Sequence, residues 1–358
     1  MKKNIVYIVL LAVLGAGVWY FLFSDKNVFG VNEADFTVKD TNAVYRIYLA
    51  DKMGNAVTLE RKEQGWMLDN KYPVLPSSLG VLMKTMATQE AMYPVPENMH
   101  NSVIKNMAAK AIKVELYNKK GDPMQVFYVG GQVGENAGSY MLMEGASKPY
   151  VVQIPGFEGY LSPRYSTKVA DWRDRTVFNA APENIQSVSV TYPSEPLNSF
   201  VLNSVGKEKF EVKIDPALAQ TGTFNERRAT VYAGYFQNIN LEGYLNGLPG
   251  LDTMIAAAKK RCTVELVTKD GKKQLVDIYW KPLGKRSKNL DVQDPDIPEG
   301  FDADRFYAVF NNQKDTAIIQ RATFDKMFRR SFEFYMADQQ PATAADTLPG
   351  GSVKIPVH

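Results

Sequence analysis

Two stretches of this chain repeat one another at a fixed distance, and that duplication limits its fold more than any other feature. Residues 107–130 (MAAKAIKVELYNKKGDPMQVFYVG) and 257–280 (AAKKRCTVELVTKDGKKQLVDIYW) share Val114-Glu115-Leu116 with Val264-Glu265-Leu266, Gly121 with Gly271 and Val126 with Val276, each pair 150 positions apart. Both blocks leave a helical stretch, enter a strand, turn on a glycine and return as a second strand, which describes a hairpin. Trp66 and Leu68 match Phe210 and Val212 at a spacing of 144, while Val151-Val152-Gln153 and Phe157 match Ile318-Ile319-Gln320 and Phe324 at 167. Changing offsets between matching blocks place the length differences in loops. The expected fold is α+β: two tandem, diverged domains of antiparallel sheet plus helices, over residues 33–178 and 183–338.

Within the first copy, residues 44–49 nearly alternate apolar and polar, residues 51–55 (DKMGN) turn the chain into a strand at 56–61, and Trp66-Met-Leu68 gives a third. Pro76 begins a helix with Leu79, Leu82, Met83 and Met86 along one face. A second helix is expected from Asn101 or Ser102, with Ile104, Met107, Ala108 and Ala111 on one side. Strands follow near 113–118, 124–130, 139–144 and 150–154, and Pro155 starts a short helical stretch to Leu161. In the second copy the pattern gives strands at 185–190, 199–203 and 209–214, a helix from Asn225, and another capped by Asp252 with Met254, Ile255 and Ala258 inward. Residues 282–302, polar and proline-rich, form an exposed loop, and residues 339–358 a flexible tail too poor in apolar side chains to offset its ordering entropy.

Residues 5–23 are nineteen uncharged, mostly apolar residues behind Lys2 and Lys3. As a helix this run spans roughly 28 Å, close to a bilayer's hydrocarbon core. The alternative is a cleaved secretion signal, but small residues lie mid-run with Trp19-Tyr20-Phe21 after them, so residues 1–26 read as an N-terminal membrane anchor. The basic start then stays in the cytoplasm. This places a single-pass protein in the inner membrane, its C-terminal bulk in the periplasm, and makes the membrane its first partner.

The net charge of +3 includes +2 from residues 1–26, leaving no basic field for a phosphate backbone and excluding nucleic acid as the expected partner. Of the two histidines, His100 reads as a surface or cap residue and His358 as part of the tail, neither near another good metal ligand. Cys262 opens a strand at the position of Ile112 in the first copy, so it reads as a small buried hydrophobe, with no thiol available to pair with it. Residues 130–138 (GGQVGENAG) lack the Gly-Lys-Ser/Thr ending of a phosphate loop and run into a strand, which makes them an inter-strand connection. No catalytic, cofactor or metal residue is therefore assigned.

The remaining cluster is Tyr160, Arg164, Asp171, Trp172, Arg173 and Arg175, at the boundary between the copies. Alternation along an extended chain would put Asp171, Arg173 and Arg175 on one side and Trp172 with Asp174 on the other. Arginines that make two-pronged contacts and stack on rings suit an interface between the domains or a partner-binding surface better than proton transfer.

Several short signatures carry a family resemblance: residues 56–61 (AVTLER) followed by Gly65-Trp66, Val129-Gly130-Gly131 leading to residues 138–142, residues 154–157 (IPGF) with Gly159-Tyr160-Leu161, and Trp172-Arg-Asp-Arg175. With the N-terminal span, they resemble the DUF4340 family, particularly its Bacteroidota-type, membrane-anchored versions. The likeness covers most of residues 1–200 and reaches the second half through the duplication. It implies no enzymatic mechanism; some relatives are auxiliary components of ABC transport or gliding machinery. The expected function is thus a non-enzymatic, membrane-anchored envelope scaffold or accessory protein, assisting an ABC-type assembly within a membrane-protein complex. The alternatives are an envelope polysaccharide- or peptide-binding module, which the many tyrosines and phenylalanines permit, and a carboxylate-dependent hydrolase, recognised only by two acids close in space.

Overall fold

The structure is a computed structural model and describes residues 33–134, 138–214, 223–284, 287 and 297–335. The chain divides into two compact units, with the boundary between Asp174 and Arg175. Both are α+β.

The expected span at 5–23 and the tail at 339–358 lie outside the described residues. Among the described residues no helix is long and apolar enough to cross a membrane. The longest has 14 residues, several of them charged, where a span needs about 20 apolar ones. The architecture of the described residues therefore contains no transmembrane helix. Inner-membrane placement, periplasmic bulk, the membrane partnership and the anchored envelope-scaffold role, all of which rested on it, are withdrawn with it.

Unit 1 runs β1 (Arg46–Ala50), β2 (Ala56–Lys62), β3 (Gly65–Leu68), β4 (Tyr72–Pro73), α1 (Pro76–Thr88), β5 (Glu90–Pro94), α2 (Glu97–Lys110), β6 (Ile112–Tyr117), β7 (Pro123–Gln132), β8 (Ser139–Met143) and β9 (Tyr150–Gln153), then the short α3 (Val169–Trp172). Its sheet has the order β4-β3-β2-β1-β6-β7-β8-β9-β5. Period-two alternation puts Ile47, Leu49, Val57, Leu59, Val114, Leu116, Phe127, Val129 and Met141 on one buried face. Helix α1 covers that face with Leu82 and Met86, both fully buried, a burial worth roughly 1.5–3 kcal/mol per side chain. Gln89 ends the helix and is itself buried: its amide donates to the Phe36 carbonyl and accepts from the Tyr165 hydroxyl. The opposite face carries Tyr128, Tyr140, Leu142 and Val151, packed with Val103 and Met107 of α2.

Unit 2 begins with β10 (Thr176–Phe178) and continues β11 (Ile185–Thr191), β12 (Phe200–Gly206), β13 (Lys209–Ile214), α4 (Glu226–Gly234), β14 (Ile239–Asn240), β15 (Gly243–Tyr244), α5 (Leu251–Ala256), β16 (Lys260–Thr268), β17 (Lys273–Pro282), β18 (Phe301–Phe310), β19 (Asp315–Gln320) and α6 (Arg321–Phe324). Its main sheet has the order β13-β12-β11-β16-β17-β18-β19-β15, with β10 and β14 paired apart. Leaving out β4, the two sheets have one topology. Their registers agree too: Ile47 faces Leu59 and Leu116, as Val188 faces Leu202 and Leu266. The repeat also extends upstream of the first strand. Val38 N–H donates to Met86 O at the end of α1, and Ala180 N–H to Phe236 O just after α4.

The hairpins at the centre of the duplication differ by one residue. Their turns superpose in pattern, since Asn118 and Gly121 make the same backbone bonds as Thr268 and Gly271. On the return strand, however, Leu116 faces Gln125 while Tyr117 faces Pro123, so Met124 is a bulge without an opposite number. Val276 therefore corresponds to Phe127, its partner on the ladder being Val264 as Phe127's is Val114, and the match of Val126 with Val276 is off by one.

Other expectations shift. Helix α2 starts at Glu97, with Pro96 before it, so His100 lies in its first turn instead of capping it, and Val103 with Met107 form the buried side. Residues 156–161 are not helical, because two glycines with positive φ, Gly156 and Gly159, bend the chain. Helix α5 is entered through Gly250 at φ 75°, which puts Asp252 inside the helix. Phe157 is 37% exposed and Phe324 fully buried, so that pair does not share an environment.

Candidate functional site

The predicted cluster divides at the unit boundary. In unit 1, Arg164 donates to Thr85 Oγ1 (2.9 Å) and its guanidinium lies 4.2 Å from the Phe157 ring centre. Ser166 Oγ donates to Asp171, and the buried Trp172 donates its indole N–H to Ser166 O (2.7 Å). Arg173 lies 3.9 Å over the Tyr72 ring and bridges to Val74, so residues 172–174 run along 73–75. Tyr160 is 41% exposed. Because α3 covers Val169–Trp172, the expected extended alternation does not hold at Asp171 and Trp172. Arg175 belongs to unit 2: it donates to Glu242 O (3.0 Å), and its own carbonyl accepts from Leu241 N–H.

Cys262 is fully buried, and burial pushes its thiol up to about 12, far from the thiolate a nucleophile needs. In the glycine-rich connection, Gly138 has φ +106°, and a Cβ there would meet Val152 O at 2.4 Å. Close strand approach explains that glycine without an anion. Among the described residues no group of three or more His, Cys, Asp or Glu side chains could hold a metal ion. Most of the described phenylalanines form core: Phe36, Phe127, Phe178, Phe236 and Phe306 are each 0–1% exposed.

One arrangement absent from the sequence reading stands out in unit 2. The β16–β17 ladder pairs Lys260 with Tyr279 and Cys262 with Ile278, leaving Arg261 as a bulge. A bulge re-aims the side chain it carries. The Arg261 guanidinium lies 4.4 Å from the Trp280 ring centre, 4.5 Å from Phe328 and 5.2 Å from Phe306. Each such contact contributes on the order of 0.5–2 kcal/mol, the upper value when water is excluded. Its Nε is buried with no hydrogen-bond partner, and its side chain makes no ion pair with a described residue.

The box belongs to this copy. By register, Phe306 corresponds to Ser139 and its partner Trp280 to Gln132, the partner of Ser139, and the 150 spacing puts Ala111 opposite Arg261. The positions where the copies differ in chemistry thus cluster at one end of the second sheet. A comparison of mismatches, instead of matches, would have found it.

Arg261 borders a cavity of about 370 Å³, lined also by Lys259, Lys260, Arg321, Arg329 and Arg330 against Glu195, Asp325 and Glu333. Two of these carboxylates are committed: Asp325 accepts from Arg321 (3.4 Å), and Glu333 from Arg329 (3.1 Å) and Arg330 N–H (2.9 Å). Tyr192, in the wall, donates to Arg329 O (2.9 Å), and burial pushes its hydroxyl well above the ordinary value. Lys260 is tied to Asp277 (2.9 Å). Burial, the largest single influence, would lower the Lys260 ammonium, yet the hydrogen bond and charge of Asp277 together with Tyr279 outweigh it and the group is raised.

A duplicated α+β protein with a cationic, ligand-sized cavity in its second copy is the class these features define. The chain matches the family described as Domain of unknown function (DUF4340) over residues 66–247, just over half of its 358 residues, and belongs to that family. Arg261 and its three rings lie beyond the matched residues. The match carries no organism, anchor or transport partner, so the expected Bacteroidota type and the ABC or gliding association draw no support from it. Neither curated proteins nor solved structures match the chain.

Proposed function

We propose that this protein is a ligand-binding accessory module and not an enzyme, and that its second unit captures an oxyanion at Arg261. The carrying observation is a guanidinium held on three rings, with a buried Nε and no carboxylate partner among the described residues, at the edge of a cavity whose cations outnumber its acids. A planar fork already oriented by stacking loses little freedom when it grips an oxyanion through two parallel hydrogen bonds. Desolvating the guanidinium is unfavourable until an anion arrives, so the free site favours binding. Proton transfer is poorly served here. Asp325 and Glu333 are ion-paired, and the Tyr192 hydroxyl is spent on a carbonyl.

Titration calorimetry of the full chain with sodium sulfate tests the reading. Saturable binding is expected, weakened at least tenfold in Arg261→Met, which keeps an apolar stem within the box. Equal binding by wild type and variant, or none by wild type, would overturn it.

A further inference from the structure

We infer that the charged group this cavity selects is a phosphate monoester, held as a dianion; the inference rests on the oxyanion reading of the same cavity. The lining has six cationic side chains and three carboxylates. Asp325 and Glu333 are taken up by Arg321 and Arg329, and Lys260 by Asp277 outside the lining, which leaves Arg261 and Lys259 without a carboxylate partner among the described residues. A monoanion placed against Arg261 would leave like charges facing one another across a small space, whereas a dianion offsets more of the excess. The mixture of donors points the same way. Arg261 provides a flat two-point fork, and Lys259, exposed on the same wall, a mobile point charge. Fork plus ammonium matches a tetrahedral group with three terminal oxygens better than a flat carboxylate with two. At about 370 Å³ the cavity also has room for a small organic group on the ester oxygen.

Phenyl phosphate and phenyl sulfate separate charge from shape, since both present a tetrahedral oxyanion on the same ring but at neutral pH one is mostly doubly and the other singly charged. Calorimetry on the full chain at pH 7.5 is expected to show phenyl phosphate binding at least tenfold more tightly. Lys259→Gln, an exposed change that leaves the melting temperature alone, should weaken phenyl phosphate at least threefold and phenyl sulfate less than twofold. Equal affinity for the two esters, with both lost in Arg261→Met, would overturn the dianion inference while leaving the oxyanion site standing. Failure of wild type to bind either ester or sulfate would overturn both.

Discussion

Lys281 Nζ lies 2.8 Å from Asp302 Oδ2, with the lysine side chain 15% and the aspartate 2% exposed. Ser287 Oγ donates to the same oxygen (2.7 Å) and accepts from Gly284 N–H (2.9 Å), while Asp304 N–H donates to Oδ1 (2.9 Å). The pair thus fastens both ends of the connection between β17 and β18. Burial alone would raise the Asp302 carboxyl, but the hydrogen bonds from Lys281 and Ser287 prevail and hold it below the ordinary range.

Asp302→Asn keeps the shape and removes the charge, leaving the Lys281 ammonium largely buried without its counter-ion. Breaking such a pair on one side costs roughly 2–4 kcal/mol, discounted for the partial exposure of the lysine. Urea unfolding followed by circular dichroism should show that loss. The double variant Lys281→Met with Asp302→Leu should recover at least half of it, because neither charge is then stranded.

Gly138→Ala should destabilise unit 1 by roughly 2–4 kcal/mol, since it combines a left-handed φ with a Cβ pressed against Val152 O. Gly54 is the control. It has φ +90° but open space around the would-be Cβ, so Gly54→Ala should cost only about 1 kcal/mol. Equal losses in thermal melts would show that strand approach at Gly138 is not the cause.

Asp51 links the β1–β2 turn to residue 167. It accepts from the Asn55 side chain (2.8 Å), Thr167 Oγ1 (2.8 Å) and the Met53 amide (2.8 Å), and chiefly the Asn55 bond lowers its carboxyl to about 2. A depressed folded-state value means the contribution is fully present above the unfolded value near 3.9 and is lost as pH falls from about 4 through 2. NMR titration should find the Asp51 midpoint near 2 in wild type, and higher in Thr167→Val. The same variant should show a shallower stability loss over that pH window.

The sequence exposed most of the fold because the copies retain their core alternation. Val114 and Leu116 match Val264 and Leu266 in type, burial and partner strand. What it hid has physical causes. The bulge at Met124 changes the ladder without changing the hydrophobic pattern, and two-residue strands such as β15 are too short to show a period. The Arg261 box was invisible because its parts are scattered over β16, β17, β18 and residue 328, and a lone arginine after Lys260 resembles a solvated strand end. The arginine-rich boundary is legible because its residues are close together in the chain, and several of its groups are satisfied locally.

Cys262 gives a direct test of core integrity in unit 2. With a buried thiol raised to about 12, it should resist Ellman's reagent for hours at pH 8 and react within minutes in concentrated urea. Rapid labelling of the native protein would place the thiol at the surface and contradict the packing of β16.

Each unit should fold without the other. Every residue of the core around Phe36, Phe127 and Tyr165 comes from unit 1, and every residue of the core around Phe178, Tyr232 and Phe306 from unit 2. A domain with its own core and no missing strand can reach a stable state alone. Fragments 33–174 and 175–335, produced separately, should each unfold cooperatively in urea, with circular dichroism spectra that sum to that of residues 33–335. The full chain should depart from a single two-state transition: Trp66 and Trp172 report on unit 1 and Trp280 on unit 2, so Trp280→Phe should remove one fluorescence step and keep the other. A fragment that stays unfolded would show that its core needs the other unit.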